Sequence, residues 1–223
     1  MKVLYEDNHL IIVEKEPNIP SQADKTGDQD MLRFVKDYIK EKYQKPGDVY
    51  IGLVHRLDRP VGGIMVFART SKAASRLSEQ IRNKEFKKNY LAIVDGKFNK
   101  NKGHLEDYLF KDERNNISKV VNKEKKNAKQ AILDYEVLNY DENRNLSLVK
   151  INLHTGRHHQ IRVQMANAGH SLFGDQKYGA RGKNKQIRLW AYQITFTHPT
   201  TKEQLTFTDY PDWTMCKTVG LEN

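Results

Sequence analysis

The sequence predicts an α+β fold, a largely antiparallel mixed sheet with flanking helices on its faces. Two observations indicate this class. Short apolar runs typical of strands outnumber the segments with helical spacing, and several of these runs follow one another with no helix between them. The length of 223 residues suits one domain, or one domain of two lobes, and the 38% of hydrophobic residues is enough for a sizeable core.

In the N-terminal half, strands and amphipathic helices alternate. Residues 10–13 form a short apolar run that predicts a buried strand. Apolar residues at helical spacing predict helices over about 29–44 and 72–83, the second with Ser71 as its N-cap. Two further strands are expected on either side of a turn-rich segment. They cover residues 49–55 and 63–68.

Strands dominate the C-terminal half. We predict a strand over residues 90–94, and alternation within the lysine-rich segment 97–129 indicates exposed hairpins rather than a linker. A short helix contains Ile161 and ends at Gly169. The remaining predicted strands cover residues 132–138, 146–153, 187–197 and 204–208.

The charge of the chain favours a polyanionic partner. The formal net charge is +10, which suits nucleic acid or a membrane surface. No apolar stretch reaches the roughly 18 residues that a transmembrane helix needs. Residues 1–7 include acids where a signal peptide needs an apolar region. Because Cys216 is the single cysteine and cannot form an internal disulfide, we expect a reducing, cytoplasmic location.

The segment GLVHRLDRPVGG, residues 52–63, contains one carboxylate in a basic, turn-rich setting. Asp58 has Arg56 and Arg59 close on either side, and an apolar run follows at once. The residues alone leave two interpretations open. Asp58 is either a turn residue that neutralises nearby arginines, which is the commoner case, or a positioned carboxylate with a chemical role.

Three other segments could carry chemistry. In the first, Tyr90 follows two lysines in a strand, and a core position and a functional one are equal interpretations. In the second, Arg157 and Arg162 suit anionic partners at the start of a helix. The third is a loop bounded by glycines. The segments are KKNYLAIVDG (87–96), HTGRHHQIRVQ (154–164) and GDQKYG (174–179).

The histidines of the second segment suggest a metal site, but their spacing argues against it. His158 and His159 are adjacent and face differently on a helix, and Gly156 interrupts any helical register with His154. Zinc usually takes three or four ligands with supporting partners, and no convincing acidic ligand set accompanies these histidines. We therefore expect no metal.

Together these segments resemble the motifs of the RluA-type RNA pseudouridine synthases, which isomerise uridine within RNA. His55-Arg56-Leu57-Asp58, followed by Gly62-Gly63, resembles their HRLD motif, and order and spacing agree over roughly residues 5–210. The other matching stretches are Leu10–Val13 with Lys15 (the first strand and its NKP motif), Lys88-x-Tyr90-x-Ala92-x-Val94-x-Gly96, Thr155-Gly156-Arg157 with His159-Gln160-Ile161-Arg162, and Gly174-Asp175 with Tyr178-Gly179.

The sequence departs from that family pattern in a few places. Val61-Gly62 stands where Thr-Ser usually follows HRLD, so a hydroxyl beside the acid is missing. Glu16 and Asn18 replace a usual Pro and Gly, which affects loop shape more than chemistry, and Gln164 replaces a common His. We also expect no N-terminal S4-type RNA-binding domain, so that residues 1–223 form one catalytic domain.

The resemblance implies the chemistry as well as the fold, with an active-site cleft across one sheet. Pseudouridine formation breaks the C1′–N1 bond, turns the uracil and rejoins it through C5, so no cofactor is expected. By resemblance, Asp58 is the catalytic aspartate, Arg162 pairs with it and keeps it ionised, and Tyr90 packs on the target base. The implied substrate-binding residues are His55, Arg56, Arg157, His159 and Gln160.

We therefore predict an RNA pseudouridine synthase that acts on ribosomal or transfer RNA, as a monomer with no evident protein partner. One alternative is a non-catalytic RNA-binding or assembly protein that keeps the fold. The intact set of Asp58, Tyr90 and Arg162 argues against it, because RNA affinity alone needs only a basic surface. Another alternative is a glycosylase that releases base, which would lower the mass of the RNA, whereas isomerisation leaves it unchanged.

Overall fold

The computed structural model describes residues 1–179 and 185–223. In chain order the strands are β1 (Val3–Glu6), β2 (Leu10–Lys15), β3 (Gly52–Leu53), β4 (Gly62–Ala68), β5 (Lys87–Asp95), β6 (Lys102–Asp112), β7 (Ile117–Val121), β8 (Lys129–Asp141), β9 (Leu146–Leu153), β10 (Leu189–Thr197) and β11 (Gln204–Thr208). The helices are α1 (Met31–Lys42), α2 (Ser71–Arg82), α3 (Gln160–Asn167) and α4 (Thr214–Lys217).

The chain divides into two compact units, each with its own buried core. The first unit contains Met1–Phe86 and Gln193–Asp209, and the second contains Lys87–Tyr192 and Tyr210–Asn223. None of the helices in the described part of the chain is both long and apolar enough to cross a membrane.

The first unit is built on antiparallel strand pairs. Strand β2 pairs with β1 on one side and with β4 on the other, and β3 also pairs with β4. Strands β10 and β11 form an antiparallel hairpin. Every residue of β4 is buried, which explains why the sequence shows a continuous apolar run there rather than alternation.

Helices α1 and α2 each bury one apolar face, and that of α2 packs on this core. On α2 the buried side chains include Ala73 and Leu77, which pack in one cluster with Leu10, Ile12 and Ile64. Full burial of a side chain such as Leu77 contributes about 1.5–3 kcal/mol. The two helices therefore owe their stability to packing as well as to their caps.

The N-cap of α2 differs from the prediction by one residue. Thr70 has the extended backbone of a cap, and its side chain accepts a hydrogen bond from the backbone N–H of Ala73. Ser71 is the first helical residue, so its assignment as the cap is wrong. On α1 the cap is Asp30, whose carboxylate accepts from the backbone N–H of Arg33.

The second unit contains a sheet in the order β5-β9-β8-β6-β7, in which all neighbours are antiparallel. One of the hairpins predicted within residues 97–129 is confirmed, since β6 and β7 pair from Tyr108 to Asp112 of β6. Alternation puts Leu109 and Ala131 on the face where they form a cluster with Val163 of α3. The apolar sides of β6 and β8 thus carry α3, on which Arg162 lies.

Several predicted boundaries differ from the structure, and two elements were not predicted. Strand β3 covers Gly52–Leu53 rather than residues 49–55, although Val49 and Ile51 are buried as the apolar run suggested. Strand β1 and helix α4 have 4 residues each, too few to show a periodicity in the sequence. The residues between Gly179 and Lys185 lie outside the described chain, so the family loop is described up to Gly179.

Candidate active site

The loop that carries Asp58 in the first unit is held through its main chain. Buried Leu57 forms two hydrogen bonds with Ser21: its N–H donates to the Ser21 Oγ (3.1 Å), and its carbonyl accepts from the Ser21 hydroxyl (2.7 Å). One residue later, the carbonyl of Asp58 accepts from the N–H of Val61 at 2.9 Å. The backbone is therefore fixed on both sides of the half-buried Asp58 side chain.

Lys15, at the end of β2, supports the same loop from inside the core. Its side chain is fully buried, and its Nζ donates to the carbonyls of Glu16 (3.0 Å), Ile19 (2.7 Å) and Arg59 (2.9 Å). Burial lowers the pKa of Lys15 to about 7, the charge of Asp58 acts in the opposite direction, and the charge of Arg59 adds to the lowering. Lys15 therefore links the loop after β2 to the loop that carries Asp58, and it interacts electrostatically with the Asp58 carboxylate.

The two arginines that flank Asp58 have different surroundings. Arg59 binds the loop before α1: its guanidinium donates to Asp28, to Asp24 and to Thr26. Arg56 is exposed and makes no hydrogen bond or ion pair with residues 1–179 or 185–223. Of the pair, Arg56 is the one whose charge is available to a ligand.

His55 contributes to the fold of this region. Its Nε2 accepts a hydrogen bond from the backbone N–H of Val66 at 3.0 Å, and its ring is tilted against Phe86 with 5.5 Å between the ring centroids. A nitrogen that accepts from an N–H carries no proton of its own. The substrate-binding role of His55 stays a prediction.

In the second unit, Tyr90 lies on β5 opposite Ile151 of β9 and is 6% exposed. Side chains alternate along a strand, so Lys88 and Ala92 point to the same face as Tyr90. The turn after β9 approaches that face, since a side chain on Gly156 would lie 3.2 Å from the Nζ of Lys88.

The turn that leads into α3 is organised by Gln160. Its Oε1 accepts from the Thr155 hydroxyl (2.8 Å) and from the backbone N–H of Arg157 (3.0 Å). Its Nε2 donates to the carbonyl of Ile132 (3.1 Å) and to the Oε1 of Gln164 (3.0 Å). Gln160 thus has a structural role in addition to the substrate-binding role predicted for it, which stays a prediction. The guanidinium of Arg157 is exposed, with its Nε donating to the Gln130 carbonyl at 2.8 Å.

His159 occupies the N-cap position of α3 with a left-handed backbone, φ 55°. Its ring stacks on that of His158, with 3.7 Å between centroids, and its Nδ1 lies 2.8 Å from the Tyr178 hydroxyl. That hydroxyl also accepts from the backbone N–H of Ser118 at 2.7 Å. Tyr178 therefore links the start of α3 to strand β7, which was not apparent in the sequence.

Arg162 forms a two-bond ion pair with Asp175 inside the second unit. Its Nε donates to Oδ2 (2.7 Å) and its second terminal nitrogen to Oδ1 (2.8 Å), with both residues buried. Burial acts to raise the pKa of Asp175, but the hydrogen bonds and charge of Arg162, with two backbone N–H groups, hold that pKa below its usual value. The Tyr178 ring faces the guanidinium at 5.3 Å. The predicted pairing of Arg162 with Asp58 stays a prediction.

A sequence model described as RNA pseudouridylate synthase matches residues 9–167. The match includes all four stretches from the first strand to the start of α3. The chain belongs to this family. It is accordingly an isomerase that converts uridine in RNA to pseudouridine, and the predicted family, enzyme class and RNA substrate are confirmed.

Individual pseudouridine synthases are similar over most of the chain. It is 32% identical to tRNA pseudouridine synthase C of Haemophilus influenzae, over 93% of this chain and 92% of that protein. It is 33% identical to dual-specificity RNA pseudouridine synthase RluA of Escherichia coli K12, over 92% of this chain and 90% of that protein. With the uncharacterized RNA pseudouridine synthase YhcT of Bacillus subtilis the identity is 34%, and the match spans 91% of this chain and 66% of YhcT.

Solved structures of pseudouridine synthases confirm the α+β fold. Human RNA pseudouridylate synthase domain containing 4 superposes with a TM-score of 0.79 at 20% identity, over 95% of this chain and 89% of that one. Human RNA pseudouridylate synthase domain containing 1 superposes with a TM-score of 0.76 at 22% identity, over 95% of this chain and 83% of that one.

Proposed function

We propose that this pseudouridine synthase modifies transfer or ribosomal RNA, with Asp58 as its catalytic group. The observation that carries the proposal is the support around Asp58. Ser21 and the turn to Val61 fix the main chain on both sides of it, while its side chain is half-buried. A carboxylate that only neutralised the neighbouring arginines would need no such support.

The names of two relatives support transfer or ribosomal RNA as the substrate. One of them is named for tRNA and another for dual specificity, and both match about nine tenths of their length. The positive charge suits either RNA, since phosphate contacts supply most sequence-independent affinity. The proposal includes a monomer working in the cytoplasm, which light scattering and cell fractionation would check.

The reaction needs a carboxylate, a flipped base and little water. Flipping the target nucleotide out of its stack costs a few kcal/mol. The ionised carboxylate of Asp58 then acts as nucleophile or base while the C1′–N1 bond breaks. One acid suits this reaction, since glycosidases use a second carboxylate to deliver water to the sugar.

Tyr90 and Arg162 complete the proposed catalytic set. The ring of Tyr90 offers a stacking face for the uracil, and its hydroxyl can assist proton movement at C5. Arg162 contributes a positive charge that favours the ionised form of Asp58. Asp175 fixes the plane of the Arg162 guanidinium through two hydrogen bonds, which gives the charge a defined direction.

The proposed substrate-binding residues fall into two groups. Arg56 and Arg157 are exposed arginines whose charge can reach phosphate or base. The residues of the second group use some of their polar atoms in hydrogen bonds within the protein. They bind RNA through their remaining polar atoms, or they shape the surface that binds it. These residues are His55, His159 and Gln160.

The test is conversion of uridine by the purified protein. Asp58→Asn keeps the shape and removes the charge, so pseudouridine formation should fall below detection. RNA binding should stay within about tenfold, roughly 1.4 kcal/mol. Pseudouridine would be mapped chemically on transfer RNA and ribosomal RNA transcripts, and RNA mass would be recorded.

Asp48→Asn is the matched control, because Asp48 is an exposed acid of the same unit, 86% exposed at its side chain. It should leave turnover unchanged. Comparable turnover in Asp58→Asn would reject Asp58 as the catalytic group. Loss of RNA mass with the wild-type protein would indicate base release instead of isomerisation.

A further inference from the structure

Lys88 is an enclosed lysine that has no counter-ion within the described chain. It is the second residue of β5 and half-buried. Its ammonium forms no hydrogen bond and no ion pair with residues 1–179 or 185–223. Burial alone lowers the pKa of Lys88. An enclosed charge without a partner is costly for folding, so its retention calls for a purpose other than stability.

Two other lysines of the chain show how different this environment is. Lys15 is also buried, but its Nζ donates to three carbonyls of the fold. Lys87 precedes Lys88 in β5 and is exposed, with its side chain on the opposite face by strand alternation. Lys88 is therefore neither a structural ammonium like Lys15 nor a solvated one like Lys87.

The position of Lys88 points to the substrate. It lies on the same face of β5 as Tyr90, two residues along the strand. Its Nζ lies against Gly156, where an added Cβ would be only 3.2 Å away. Gly156 stands in the turn that Gln160 holds through Thr155 and Arg157. A glycine there leaves room for the ammonium.

We propose that Lys88 binds a phosphate group of the RNA substrate beside the uridine contacted by Tyr90, and that Gly156 keeps the space for its ammonium. This inference rests on the proposed function, in which Tyr90 contacts the target base. Phosphate is the anion that RNA presents at every nucleotide, and lysine binds it as a compact point charge. Phosphate contacts fix the register of a nucleic acid without reading its sequence.

The test uses Lys88→Met in an Asp58→Asn background, so that binding is measured without turnover. The probe is a transfer RNA transcript. Affinity should fall roughly tenfold or more. The slope of log affinity against log salt should be shallower by about 1, since one phosphate contact is lost.

Lys87→Met is the matched control, because it removes the same charge from the next residue and should change the affinity much less. Lys88→Arg keeps a charge and should recover most of the salt slope. Gly156→Ala keeps the lysine but shifts its ammonium by a few tenths of an ångström, so it should weaken binding in the same direction as Lys88→Met and by less.

Thermal unfolding separates this role from a structural one. Lys88→Met removes an enclosed charge without a described partner, so the variant should unfold at the same or a higher temperature than the wild type while binding RNA less tightly. A lysine kept for the fold would give the reverse, a clear drop in unfolding temperature.

Steady-state kinetics in the active enzyme complete the test. A raised KM with unchanged kcat supports the phosphate contact. A lowered kcat with unchanged KM would overturn it, because Lys88 would then act on the detached base, and unchanged affinity and salt slope would also overturn it. Absence of pseudouridine with the wild-type protein would reject the proposed function, whereas a Lys88-dependent salt slope in that case would still support the phosphate site.

Discussion

The two units support their functional side chains in different ways. Around Asp58, supporting side chains bind the main chain: Ser21 binds both peptide groups of Leu57, and Lys15 binds three carbonyls. Arg162 is instead held by another side chain, since it donates two hydrogen bonds to the carboxylate of Asp175. Loss of a support should therefore loosen a loop in the first unit, but remove a charged partner from a buried guanidinium in the second.

The largest loss of stability should appear when the side-chain support of the second unit is removed. Asp175→Ala removes the two hydrogen bonds that Asp175 accepts from the 4% exposed Arg162. Breaking a buried ion pair in this way costs about 3–5 kcal/mol. Urea denaturation would measure the loss in the free energy of unfolding. We expect pseudouridine formation to fall as well, because the guanidinium loses its fixed orientation.

The double variant Asp175→Leu with Arg162→Met is the control for that result. It replaces both charges with apolar groups and should recover much of the stability, but none of the activity. A loss below about 1 kcal/mol in Asp175→Ala would mean that the other contacts of Arg162 hold its charge without Asp175, and the contrast between the units would fail.

Ser21→Ala tests the main-chain support of the first unit. It removes the acceptor of the Leu57 N–H and the donor to the Leu57 carbonyl. Unsatisfied buried groups of this kind cost about 1–3 kcal/mol. The loop beside Asp58 should become more mobile, so we expect kcat to fall while KM changes little.

Ser21→Thr serves as the conservative partner of that change. It keeps the hydroxyl and should recover part of both stability and kcat. If Ser21→Ala lowered stability but left kcat unchanged, the clamp on Leu57 would be structural alone, and the position of Asp58 would depend on Lys15 and the turn to Val61.

The same contrast explains what the sequence could and could not predict. Apolar runs predicted strands such as β2 and β4, because a continuously buried strand shows itself in its own residues. Asp58, Tyr90 and Arg162 were singled out by the resemblance to the family motifs, because the residues alone left other interpretations open. Local patterns therefore predicted most of the elements, and the motifs predicted the candidate site residues.

Supports between distant segments could not be predicted. Ser21 and Leu57 are 36 residues apart, and nothing local in either segment indicates the other. The pairing of Arg162 with Asp175 spans 13 residues and the end of a helix. The glycine-bounded loop contains the acid of the second pair, but an acid in a loop is compatible with many partners.

The smallest expected effect concerns Lys15 and pH. Its pKa is about 7 in the folded protein against 10.5 as the ordinary value. Between these values the unfolded chain holds a proton that the folded chain releases, so the free energy of unfolding should rise with pH in this window. Below pH 7 both states are protonated, and the folded state carries the whole cost of the buried charge.

Lys15→Met isolates this contribution, since it removes the titrating group and keeps much of the volume. The unfolding free energy of the wild type minus that of the variant should rise by up to about 1 kcal/mol from pH 7 to pH 8. Urea titrations at closely spaced pH values would measure it. A difference that stays constant would show that the three carbonyls hold the ammonium protonated throughout. The cation would then remain charged beside Asp58, and Lys15 would support the catalytic loop by charge as well as by hydrogen bonds.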